Sequence, residues 1–319
     1  MQPILLNAIR RPAAMKPLTQ AARNFTTVRP SVLRQLPRAP LSKRFFTAEP
    51  AIVRRPTKTE AYRKLAVSGA IFGGALVGIN VLFNGEKRVG GIPEFEHQFL
   101  KETFTYTGMG VGMIGLAAKA LHNRGWSYRL MAMNPWLVMG AGLAASIGTM
   151  YGTLYTDPDN YVQKHLLWTG FNLTQAVTLA PLFFYSPAIL ARAGLYTVGM
   201  MGSISYVAAT AKEDKYIWLG GPLLGGLAVV CLASLAPMIL PLGTAAVAGA
   251  EAIYLYGGLA VFGGFTLYDV QKVQHHARLA ERGLIKKDTV NESIKLELDF
   301  LNIFVRMVQI LGNRQNNRK

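Results

Sequence analysis

The chain has one cysteine, Cys231, in 319 residues, and half as many acids as bases, 17 Asp and Glu against 34 Lys and Arg. A lone thiol excludes an intramolecular disulfide framework and any cysteine-based metal cluster. Cys231 lies midway along an apolar run, where a packing role is expected. Catalytic signatures are missing too. With no nucleophile elbow, no P-loop and no intramembrane Gly-x-Gly-Asp protease motif, no enzyme is expected and no cofactor is implied. Gly110-Val-Gly112-Met-Ile-Gly115 has the spacing of a dinucleotide fingerprint, but no strand signal precedes it and it sits inside an apolar run. Small residues at that spacing let helix backbones approach closely, and the same reading applies to Gly69/Gly73, Gly74/Gly78, Gly148/Gly152 and Gly221/Gly225. His275 and His276 are adjacent, so on a helix they would point about 100° apart and could not share a metal as an i, i+4 pair does. They read as solvated loop residues.

What is abundant is apolar length. The chain is 51% hydrophobic and only 16% charged, with a mean hydropathy of +0.24. Runs near the ~20 residues that cross a bilayer as a helix recur at 65–83, 103–121, 134–154, 166–185, 188–210, 217–240 and 245–268. An eighth, 296–311, is shorter and carries Glu297, Asp299 and Arg306, so it cannot face lipid all round. The links at 155–161 and 212–215 are short, which makes neighbouring helices antiparallel in one bundle. The fold class is therefore an all-α membrane protein. Its one sizeable polar loop is expected from Gln271 to Lys295.

Residues 1–64 behave differently. They hold 14 Lys or Arg against two acids, Glu49 and Glu60, a net of +12 within the chain's +17. No acid precedes Glu49, and Arg10, Arg11, Lys16, Arg23, Arg29, Arg34, Arg38, Lys43 and Arg44 alternate with small and hydroxylated residues. No apolar segment of secretory-signal length is present, and prolines at 12, 17, 30, 37 and 40 oppose one long helix. That composition is expected of a mitochondrial transit peptide over 1–46, processed near Arg44-Phe-Phe-Thr47. A basic linker (47–64), an extra transmembrane helix (65–83) and a polar linker (84–102) follow. The main domain spans 103–311, and a basic tail spans 312–319.

Ionisable groups at membrane depth are costly to keep and mark function by default. Lys119 and Arg192 lie near span ends, where long side chains snorkel to the interface. The others are Glu251, Asp269, Asp299 and Arg306. Glu251 and Asp269 are 18 residues apart, five turns, and on a continuous helix would share one face about 27 Å apart. Asp299, Asn302 and Arg306 fall at i, i+3 and i+7, a polar stripe on an apolar helix.

Tyr256-Gly-Gly-Leu, Leu267-Tyr-Asp269-Val-Gln-Lys and then Leu298-Asp299-Phe-Leu-Asn302-Ile-Phe304 together resemble the paired signature of the Bax inhibitor-1 (transmembrane Bax inhibitor motif) family. Arg306, the leader and the extra span make the chain most similar to that family's mitochondrial branch. The resemblance covers 103–311 in layout, and in specific letters only the last two segments. It implies a seven-helix bundle wrapped around a short central last helix. It also implies that Asp269 and Asp299 form a pH-sensitive gate for calcium, supported by Asn302, Arg306 and Glu251. Two departures stand out: Glu297 occupies a position where an aromatic is common, and 134–154 lacks the arginine that bacterial relatives bring to the pair. Arg306 is the candidate replacement.

Two carboxylates in a desolvated site cannot both ionise cheaply, so such a pair titrates as a unit. With a shared proton it would hydrogen-bond and hold its two segments together; without it, two anions part or recruit a cation. Calcium takes six to eight oxygens, so two carboxylates make a weak site of the kind permeation needs. The expectation is an inner-membrane calcium channel or Ca²⁺/H⁺ exchanger, with links to cell-death suppression and calcium as cargo. The alternative is a structural protein organising cristae or respiratory complexes. Expected partners are the lipid bilayer, Ca²⁺ and H⁺, and inner-membrane proteins or a second copy, with no nucleic acid.

Overall fold

The structure, a computed structural model, describes residues 90–241 and 244–316. The leader, the basic linker, the extra span at 65–83 and residues 84–89 lie outside the described residues. All regular structure among the described residues is helical: α1 (Glu94–Asn123), a short α2 (Trp126–Ala132), α3 (Pro135–Tyr155), α4 (Tyr161–Leu179), α5 (Pro187–Thr210), α6 (Gly220–Ile239), α7 (Ala245–Glu281) and α8 (Thr289–Asn316). Pro135–Tyr155, Ile217–Ile239 and Ala245–Glu281 are each long and apolar enough to cross a membrane. The protein is an all-α membrane protein with seven long helices among the described residues.

Local chemistry sets the helix ends. Asn134, Ser186 and Thr244 cap α3, α5 and α7 by accepting from the backbone N–H of Trp136, Ile189 and Val247, and prolines 135 and 187 occupy first-turn positions where no N–H is needed. At the end of α7, Gly283 is left-handed (φ +71°). Gly283 N–H donates to Ala280 O and Leu284 N–H to Leu279 O, both at 3.0 Å, the paired bonds of a Schellman stop. Asp288 then starts α8 by accepting from Asn291 N–H at 3.1 Å.

The expected loop from Gln271 to Lys295 is therefore almost all helix, with only 282–288 irregular. Its apolar residues explain the difference: Val270, Val273 and Ala277 on α7 are fully buried against Phe99, Leu100 and Leu296, while Val290 and Ile294 on α8 pack on Trp168 and Phe171. His275 and His276 accordingly lie on α7 and not in a loop, beside Asp214 and Glu292 respectively. Likewise α1 begins at Glu94, inside the segment expected to be a polar linker, because Phe99 and Leu100 join the same core.

Helix α8 is the centre of the bundle. No residue from Asp288 to Gly312 is exposed, and α1, α3, α4, α5 and α7 pack around it. It is 28 residues long, not the short segment 296–311. Helices α3 and α6 are peripheral, each with one buried residue, Thr153 and Val230. Cys231 is exposed on α6, so it does not pack in the core as expected. Of the small residues read as close-approach points, Gly110 meets Glu297 and Gly152 meets Leu167, whereas Gly112, Gly115, Gly148, Gly221 and Gly225 face open space.

Candidate functional site

The seam between α7 and α8 brings Asp269 and Asp299 together. Both are buried, 7% and 4% exposed, and they act on each other electrostatically. Val270 and Val273 anchor this side of α7 in the core, and Leu296 and Leu301 do the same for α8. Thr266, one turn before Asp269, donates its hydroxyl to Phe262 O at 3.0 Å and lies 3.4 Å from Asp299 Oδ2. Having one hydrogen, it serves the aspartate only as a second, weaker acceptor.

Among the described residues, no hydrogen bond joins the two carboxyls and no ion pair engages either one. Lys272 and Lys295 are the cations whose charge reaches Asp269, and Glu292 is the anion. Beyond them His276 Nδ1 lies 2.7 Å from Glu292 Oε1, and Lys295 Nζ lies 2.9 Å from Glu292 Oε2. A ladder of alternating charge thus runs along the seam from the aspartates toward the 282–288 loop.

Arg306 takes a different part from the one expected of it. Its Nε donates to Tyr254 O at 3.0 Å, and its Nη1 donates to Asn302 O at 2.8 Å and Asn302 Oδ1 at 3.1 Å. The guanidinium lies over the rings of Tyr254 and Phe262, 4.6 and 4.7 Å from their centroids. Gly258 gives it room, since a Cβ there would collide with the guanidinium. The buried cation is satisfied by carbonyls, an amide and two π faces, and it reaches neither aspartate. Asn302 and Arg306 therefore brace α8 against α7 beyond the pair.

Glu251 is also apart. It is exposed and accepts from Asn313 Nδ2 at 2.9 Å, at a cavity of about 410 Å³ that Gln309 and Tyr254 also line. The face it was expected to share with Asp269 is broken by a π-helical turn, Ile253–Gly257. A π turn takes more residues per turn than an α-helix, so the registers on its two sides are rotated. The turn also leaves Tyr254 O accepting from Arg306.

Four further features of the bundle carried little signal in the sequence. Lys164, 2% exposed, donates to Asp288 Oδ2 at 2.6 Å and to Thr156 O and Thr153 O. Gln271 accepts from Tyr216 N–H at 2.6 Å and donates to Lys212 O, tying the α5–α6 link to α7. Lys286 bridges Asp157 and Asp159, and its hydrogen bond holds the Asp157 carboxyl below its ordinary range. Glu297, noted only for standing in an aromatic's place, is fully buried and accepts from Trp168 Nε1 at 3.1 Å. No cluster of three or more His, Cys, Asp or Glu with metal-holding geometry occurs among the described residues. The aspartates, with Thr266 Oγ1, offer a cation five oxygens at most.

Residues 96–316 match the family model described as inhibitor of apoptosis-promoting Bax1. The growth hormone-inducible transmembrane protein of Rattus norvegicus is 32% identical over 264 residues, covering 78% of this chain and 75% of that protein. Bax inhibitor 1 of Homo sapiens is 29% identical over 188 residues, 56% of this chain and 75% of that one. The inner membrane protein YbhL of Escherichia coli K12 is 30% identical over 157 residues, 47% and 63% of the two chains. With the family model spanning both aspartate-bearing helices and the bundle around them, this multi-pass membrane protein belongs to the Bax inhibitor family.

Proposed function

We propose that the protein moves calcium across the mitochondrial inner membrane, as a channel or a Ca²⁺/H⁺ exchanger gated by protonation of Asp269 and Asp299. It is not an enzyme, and calcium is its cargo. The observation that carries this reading is two buried carboxylates on facing helices, neither held in an ion pair. Such a pair costs free energy unless it holds a proton or a metal ion. Few oxygens surround it, which suits a site an ion must leave as readily as it enters. The basic, acid-free leader supports the mitochondrial address, and the descriptions of the family and of its relatives support a link to cell-death suppression.

The test is calcium flux into dye-loaded liposomes holding the purified protein without its leader, across a pH series. Protonation removes the charge that attracts calcium, so flux is expected to fall as pH is lowered through the pair's titration. Asp269→Asn is expected to flatten that dependence. Stoichiometric proton counter-flux identifies an exchanger, and its absence a proton-gated channel. Folded protein with no flux at any pH would overturn the reading. The Gly-rich run at 65–83, outside the residues matched to the family, supports a second reading as an organiser of cristae or respiratory complexes. In that case Asp269→Asn, Asp299→Asn protein would still rescue cristae shape.

A further inference from the structure

Glu297 and Asp299 are two residues apart on α8, about 200° around the helix axis, so they look in opposite directions. Asp299 faces α7, whereas Glu297 points between α1 and α4. The side chain is 0% exposed. One oxygen, Oε1, accepts from Trp168 Nε1 on α4 at 3.1 Å, and Ser293 Oγ, whose one hydrogen goes to Val290 O at 2.8 Å, lies 3.1 Å from the same oxygen. The other, Oε2, is buried and has no hydrogen-bond partner. On the α1 side the carboxyl lies against Gly110, and a Cβ at that position would overlap it.

No compensating charge is present. On the two helices that enclose the carboxyl, the titratable groups within two turns of Gly110 and Trp168 are Tyr106 on α1 and Tyr161, Lys164 and His165 on α4. Tyr106 OH lies 3.1 Å from His165 Nε2, and His165 Nδ1 lies 2.8 Å from Tyr161 O. Lys164 is committed to Asp288 and two carbonyls. On α8 itself, Lys295 pairs with Glu292 and Arg306 binds Asn302 and Tyr254. Glu297 makes no ion pair among the described residues. A second buried acceptor also lacks a donor: Asn172 Oδ1, one turn past Trp168 on the same side of α4, with its amide nitrogen already given to Trp168 O.

We propose that Glu297 is a proton-binding site in its own right, separate from the aspartate pair, and that it enters the bundle as the neutral carboxylic acid with its proton on Oε2. An isolated carboxylate without a cation is among the costliest groups to bury. A proton on Oε2 removes the charge and turns an acceptor without a donor into a donor. Through Oε1 and Trp168 Nε1 the acid bridges α8 to α4, while Gly110 keeps α1 clear of it. Helix α8 is held between two proton-binding sides, the pair toward α7 and the lone acid toward α1 and α4. This inference concerns the resting fold and stands whether or not the protein moves calcium.

The test is infrared spectroscopy of the full chain in lipid bilayers at neutral pH, with glutamate labelled by carbon-13 at the side-chain carboxyl. The expected result is a protonated C=O band that moves with the label, which excludes the aspartates, and disappears in Glu297→Gln. In Trp168→Phe, which keeps the acid and removes a donor to its carbonyl oxygen, the band shifts to higher wavenumber. This second variant assigns the band even if Glu297→Gln does not fold. Label-sensitive intensity confined to the carboxylate region, or a protonated band indifferent to Trp168→Phe, overturns the proposal.

Discussion

At the scale of single residues, this bundle treats its buried ionisable groups in three ways. Lys164 is neutralised by Asp288, Arg306 is solvated by carbonyls and ring faces, and Asp269, Asp299 and Glu297 have no cation bonded to them. The first case is the simplest to test. Removing one member of a buried pair strands the other, at a cost of about 3–5 kcal/mol. Lys164→Met should therefore lose stability of that order in denaturant unfolding, and Asp288→Asn introduced into Lys164→Met should recover part of it. If the single change is neutral, the pair is not buried in the membrane-embedded protein.

Some of this was readable from residue type alone. An aspartate in Leu-Tyr-Asp269 or Leu-Asp299-Phe stands out because charge inside an apolar run needs a reason. Lys164 and Gln271 did not, because each lies among other polar residues and acquires its meaning from a partner 124 or 55 positions away. Glu297 was visible as an oddity, but its neighbours Gly110 and Trp168 come from two other helices. No local pattern encodes that meeting.

At the scale of elements, helix existence followed from apolar length, but helix ends did not. The stretch from Gln271 to Lys295 looks like a loop by polarity. It continues both helices because one apolar stripe, Val270, Val273 and Ala277 on α7 and Val290 and Ile294 on α8, extends past the membrane-like segment. Gly283 ends α7 in the left-handed region, where a Cβ costs roughly 1–2 kcal/mol, and nothing crowds that position. Gly283→Ala should thus destabilise by about that amount through backbone strain alone, read as a lower midpoint in chemical unfolding. An unchanged midpoint would show that the turn is not left-handed in solution. The π turn at Ile253–Gly257 had no signal at all. It rotates Glu251 away from Asp269 and presents Tyr254 O to Arg306, so a geometry assumed from a straight helix was wrong there.

At the scale of the whole molecule, the bundle is arranged by burial from the outside in: α3 and α6 are exposed along most of their length, and α8 is enclosed from Asp288 to Gly312. Between lipid-bathed helices there is little hydrophobic drive, so contact is made by shape and by polar bonds. That is why the central helix can be the most polar one. Cys231, the chain's one thiol, reports on the outside. A nitroxide attached there should collide freely with membrane-dissolved oxygen and rarely with a water-soluble nickel complex. The opposite ranking would place α6 beside an aqueous cavity.

By itself the sequence determined the class, the number of long helices in the described region and the two aspartates worth attention. Each of these rests on composition or on spacing within one segment, which a chain carries before it folds. Tertiary structure alone decided that Arg306 serves the π turn and not the aspartates, that Glu251 stands apart, that the last helix is long, and that Glu297 is buried without a counter-ion. These depend on which side chains meet across helices far apart in the chain, and on the rotation a single π turn introduces between them.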